Sequence, residues 1–166
     1  RNVWDRRRDS VGIDFRAGGQ VAFLLKLGEG FGQECDWPLD PSGDPYMFYT
    51  ETPSFSYGCA AVTHSILRHF KPRHVIEIGS GNSSLVISKA LSLNAQNSKS
   101  KAEYIIVDPY PQQKIECGLS ALTQLVKERV ELLDVTFFDQ LGDNDILFID
   151  SGHVVRTGSD VNYLIL

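Results

Sequence analysis

Four short and almost unbroken apolar runs constrain this chain more than any other feature. They are Val75-Ile76-Glu77-Ile78, Tyr104-Ile105-Ile106-Val107-Asp108, Arg129 to Leu133, and Ile146-Leu147-Phe148-Ile149-Asp150. Strands that read this way belong to a sheet covered on both faces. Helical patterns separate them. Tyr57 to Phe70 carries Ala60, Ala61, Ile66, Leu67 and Phe70 at helical spacing and stops before Pro72. Leu85 to Leu93 reads as a helix with Leu85, Val86, Ala90 and Leu93 inward, followed by a polar loop from Asn94 to Lys101. Ile115 to Lys127 reads as a further helix, Phe137 to Leu141 as one helical turn, and Ser159 to Leu166 as a last helix. Strands alternating with helices predict a parallel sheet with right-handed crossovers, a doubly wound α/β domain.

The front of the chain is less regular. Residues 1–56 are expected to form a cap segment, and residues 57–166 the Rossmann-like domain. Val11, Ile13 and Phe15 alternate as in a short strand. In Gln20 to Leu27, Val21, Leu24 and Leu25 fit a helical face, while Val21, Phe23, Leu25 and Leu27 fit a strand; helix is the adopted reading. Gly28 to Tyr46 is rich in Gly, Pro and Asp and reads as loop.

Length and charge narrow the function classes. The chain has 166 residues, which fits one domain, and a net charge of -5, which gives no electrostatic footprint for nucleic acid. The Arg6-Arg7-Arg8 cluster is short and reads as solvated. The three cysteines form neither a CxxC nor a zinc spacing, so no disulfide framework is expected. No apolar run is long enough for a membrane span, and the start has no signal-peptide core. Cytoplasm is the expected compartment.

Ligands of such sheets bind beyond the carboxyl ends of the strands. There the sequence offers three motifs. In Glu77-Ile-Gly-Ser-Gly-Asn-Ser83, Gly79 and Gly81 permit a sharp turn and close approach of backbone to ligand. Asp108 ends the second strand, where a carboxylate can accept both hydroxyls of a ribose. It follows Gly79 by 29 residues, against about 20 in the dinucleotide fingerprint, whose last small residue is here Ser84. This weakens a nicotinamide-cofactor reading. In Asp150-Ser-Gly-His153, the carboxylate can ligate a hard cation such as Mg²⁺ and the imidazole can act as a general base. His64, His69 and His74 lack metal-type partners at matching spacing and read as structural or surface residues.

Taken in order, these motifs resemble class I S-adenosylmethionine-dependent methyltransferases. The segments from His69 to Ser84 and from Asn144 to Val161 are similar to a bacterial branch related to sugar and macrolide O-methyltransferases and to cephalosporin-hydroxylase-like proteins. The resemblance covers roughly residues 50–166. It implies S-adenosylmethionine as cofactor, held by Glu77, Gly79, Ser80, Gly81, Ser83, Asp108 and Tyr110. It also implies Asp150 as a Mg²⁺ ligand, His153 as the base, and a small-molecule hydroxyl as methyl acceptor. Asp134, Ser56 and Tyr57 are weaker candidates near the cofactor. The implied sheet order is 3-2-1-4-5-7-6, with about three strands more than the sequence contains, so the chain reads as a fragment. Strand four would then be an exposed edge, making the chain alone poorly stable or pairing it with a second copy as a homodimer. Two alternatives stay open: a catalytically silent binding module and an NAD-dependent oxidoreductase.

Overall fold

The computed structural model describes residues 14–98, 101–152 and 154–165. Val11 to Ile13, the body of the expected first strand, lies outside them; Asp14 and Phe15 carry no strand. The front segment forms helix α1 (Ala17–Phe31) and a 3-10 turn (Gly32–Cys35). The helical reading of Gln20 to Leu27 therefore holds, and the helix runs into the stretch expected as loop.

Helix α2 (Tyr57–Phe70) has the bounds its periodicity predicts. Ser56 caps it, its Oγ accepting from the Cys59 backbone N–H at 3.4 Å. Lys71 ends it in the left-handed conformation (φ 49°), with its N–H on the Leu67 carbonyl, and Pro72 follows. Strand β1 (His74–Ile78) leads through the glycine loop into α3 (Asn82–Ser98), then β2 (Glu103–Val107). Helix α3 outlasts the predicted Leu93, and Leu91 rather than Leu93 is fully buried.

The next stretch corrects the sequence reading. Ile115 to Lys127 is not one helix. Only α4 (Gln113–Glu116) forms, and Gly118 at φ +101° turns the chain away. Strand β3 is Gln124–Val126, earlier than the predicted Arg129 to Leu133, which instead holds a 3-10 turn at Val130–Leu132. Ile115, Leu119 and Ala121 do face the core, so the helix-like spacing reports burial without helix. A second 3-10 turn (Val135–Gln140), β4 (Ile146–Ile149) and α5 (Asp160–Ile165) complete the order.

The sheet is all parallel, in the order β3-β2-β1-β4. It is flanked by helices, a Rossmann-like α/β fold. Strand alternation divides its side chains into two cores. Val75, Tyr104 and Ile106 pack under α2 and α3 with Ala60, Leu67, Leu85, Val86 and Ile87. Ile76, Ile78, Ile105 and Val107 face the other way, toward Val130, Phe137, Phe138, Tyr163 and Leu164. Strands β3 and β4 are the sheet's edges.

Candidate functional site

Two hollows open beyond the carboxyl ends of the strands. The first, about 650 Å³, is walled by Gly79, Asp108, Pro109, Tyr110, Arg129 and Glu131 and, on the far side, by Ser151, Gly152, Arg156, Ser159 and Asp160. Its volume falls in the range of small-molecule sites, roughly 300–1,000 Å³. The second, about 1100 Å³, lies between the segment before α2 and the start of α3; Ser54, Phe55, Cys59, Gly81, Phe148 and Asp150 are among its walls. Ser151 belongs to both.

Gly79 brings the ends of β1 and β4 together beside the first hollow. Its φ is +84°, and a Cβ there would stand 2.2 Å from the Asp150 carbonyl oxygen. Only glycine permits this conformation and this approach of the β1 and β4 ends. The Gly79 N–H bonds the Val107 carbonyl and the Asp150 N–H bonds the Ile78 carbonyl, so three strand ends are locked in register. Asp108 stands on the wall of the first hollow. The Ser80 hydroxyl donates to its Oδ2 at 2.5 Å, and the Tyr110 N–H donates to Oδ1 at 2.8 Å. The Tyr110 ring is 87% exposed, free to move over whatever lies beside Asp108.

The predicted site residues thus separate into groups. Gly79, Asp108 and Tyr110 line the first hollow; Ser80, Gly81, Ser83 and Asp150 line the second. Ser80 joins the groups through Asp108. Glu77 lines neither. Alternation along β1 turns it to the α3 side, where it is fully buried. The Ser83 hydroxyl donates to Glu77 Oε1 at 2.6 Å and the Tyr104 hydroxyl donates to Oε2. Burial pushes the Glu77 carboxyl up to about 7, against the pull of these two donors. The same burial and the nearby carboxylate push the Tyr104 phenol up. His153 lies outside the described residues.

Among the described residues, no group of three or more His, Cys, Asp and Glu side chains could hold a metal ion. Asp150 is thus not part of such a group among those residues.

No family model matches the chain, and no solved structure matches it. An Archaeoglobus fulgidus protein described as "Uncharacterized protein" is 27% identical over 139 residues, covering 82% of this chain and 61% of its own length. The chain thus spans about three fifths of the curated relative it matches.

Arg129, Glu131, Arg156 and Asp160 also wall the first hollow, and the sequence reading missed them. For Arg129 and Glu131 the reason is the misplaced third strand. With that strand at Arg129 to Leu133, the residue beyond it is Asp134. With β3 ending at Val126, the residues beyond it include Arg129 and Glu131, which pair at 2.9 Å. Asp134 instead caps the following 3-10 turn, accepting from the Thr136 N–H at 2.9 Å. Of the other weak candidates, Ser56 lies toward the second hollow and Tyr57 lines a separate hollow with Trp37. Tyr57 stacks edge-on against Trp37 at 6.0 Å.

The front segment reaches the domain through a polar knot. Arg68 grips Glu34 with two bonds, Nε–Oε2 2.7 Å and Nη2–Oε1 3.0 Å, and donates a third to Asn94. His64 Nε2 lies 2.8 Å from the same Glu34 oxygen. Arg68 draws the Glu34 carboxyl down, and burial draws the His64 imidazole down. All three predicted structural histidines have such neighbours: His74 pairs with Asp145 at 2.8 Å, and His69 stacks with Phe23 and Phe70. No helix of the described residues is long and apolar enough to cross a membrane.

Proposed function

We propose that this chain binds S-adenosylmethionine in the first hollow and presents it to a small-molecule hydroxyl in the second, as an O-methyltransferase. The observation that carries the reading is Asp108 at the end of β2, on the wall of a hollow of about 650 Å³ that Gly79 also lines. The fit rests on two features of the chain. Gly79 leaves its backbone uncovered where a side chain cannot be accommodated, and Asp108 offers a carboxylate one strand away.

The bound cofactor supplies an activated methyl group. The chain's residues do the rest. Asp108 accepts the ribose hydroxyls, taking over the acceptor capacity that Ser80 now shares. Glu131 and Arg129 edge the adenine end, and Tyr110 closes over it. Gly79 and Ser80 face the methionine end. The second hollow holds the acceptor beside Asp150, and alignment of the two ligands supplies most of the rate. His153, three residues beyond Asp150, takes the acceptor proton. Cytoplasmic placement and a homodimer joined along the free β4 edge belong to the same reading.

Titration of S-adenosylhomocysteine by calorimetry, with NAD as control, tests it. Saturable binding of the first and none of the second is expected. Binding of NAD in its place would favour the oxidoreductase, and a folded chain that binds neither would overturn the proposal.

A further inference from the structure

Ser151 is the residue on which the two hollows meet, and nothing in the motifs singles it out. Among the described residues, it alone lines both. Its neighbours fix its backbone: the Asp150 carbonyl is pressed against Gly79, and the Ser151 Cα would lie 3.4 Å from a Cβ built there. Its hydroxyl is enclosed yet makes no hydrogen bond of normal geometry. The Asp160 carboxylate is near enough to be stabilised by it. That carboxylate is already engaged, Oδ2 by the Gly152 N–H at 2.5 Å and Oδ1 by the Val161 N–H at 2.9 Å. An enclosed hydroxyl whose one neighbour is badly placed for a hydrogen bond is unfavourable, and a ligand that supplies a well-placed partner recovers that loss. The side chain can leave its loose contact with Asp160 and turn toward an arriving group.

We infer that Ser151 contacts the group that passes between the hollows, its hydroxyl partnering whatever occupies the position of the transferred methyl. This rests on the proposed assignment of cofactor and acceptor to the two hollows. In that assignment the donor end of one ligand and the accepting oxygen of the other face each other at Ser151. The hydroxyl would orient both.

A pair of cofactor analogues reads this contact without knowledge of the acceptor. S-adenosylhomocysteine has nothing at the methyl position. Sinefungin carries an amine there, on a carbon that replaces the sulfur. Calorimetry of both ligands with wild type, Ser151→Ala and Ser151→Thr isolates the contact. The inference expects Ser151→Ala to weaken sinefungin about tenfold while leaving S-adenosylhomocysteine unchanged, and Ser151→Thr to restore sinefungin binding. Equal weakening of both ligands, or of neither, overturns the role of Ser151 and leaves the cofactor site standing. Failure of wild type to bind S-adenosylhomocysteine overturns the cofactor site and this inference with it.

Discussion

Strand β1 is buried on both faces by aliphatic side chains, whereas the front segment 14–56 is fixed to α2 largely by charge and aromatic edges. Val75, Ile76 and Ile78 are at most 2% exposed and pack among leucines, valines and isoleucines. Each such side chain contributes about 1.5–3 kcal/mol on burial, with little demand on geometry. The front segment buries Leu27, Cys35 and Phe48 but otherwise depends on Glu34, His64, Arg68 and Asn94, and on edge contacts of Trp37 with Phe48, Tyr57 and His64. Its helix leaves Val21, Leu24 and Leu25 exposed. One region is thus held by many interchangeable contacts and the other by a few that require particular partners. Glu77 is the exception inside the first region, a carboxyl in an aliphatic setting.

This contrast can be broken most severely at Gly79. Gly79→Ala puts a methyl group into the Asp150 carbonyl at a positive φ. We expect a loss of about 4 kcal/mol in urea unfolding, from strain and backbone clash together. An unchanged midpoint would mean that the β1 and β4 ends can separate.

Glu77 gives the next largest effect, seen through pH. Its carboxyl titrates at 4.5 by default and at about 7 in the fold. Between these values the native state binds more protons than the unfolded one. Its contribution is therefore fully present below pH 4.5 and is lost as pH rises to about 7, a fall of about 3 kcal/mol. Glu77→Gln should flatten that part of the stability profile. A slope that persists in the variant would assign it to other groups.

The smallest of the three effects lies in the front segment. Arg68→Ala leaves Glu34 and Asn94 without their partner; Glu34 keeps 30% of its side chain in water. The cost should be about 2 kcal/mol, less than for a wholly buried pair. Hydrogen exchange should quicken in α1 while β1 and β2 stay protected. Equal loosening of sheet and front segment would show that the two are one cooperative unit.

The two regions also differ in how far they can be read from sequence. Helix α2, β1, β2 and β4 follow from runs of apolar residues at one period, because burial there depends on residue type alone. Strand β3 was misplaced because three residues are too few to show alternation, and because Ile115 and Leu119 imitate a helical face. That error put Asp134, instead of Glu131, beyond the end of the third strand. Gly79 and Asp108 were legible as strand-end residues. The inward turn of Glu77 was also available from the alternation of β1, but the glycine motif drew it toward the ligand. The Glu34–Arg68 knot links residues 34 positions apart, and no local pattern announces it.

The most direct test of the central claim, that Asp108 holds the ribose of an adenosyl ligand, is the affinity of S-adenosylhomocysteine for wild type and Asp108→Ala. The account predicts saturable binding by wild type. It predicts a loss of about a hundredfold in the variant, the worth of two hydrogen bonds to a charged acceptor. Equal affinity of the two proteins would contradict it.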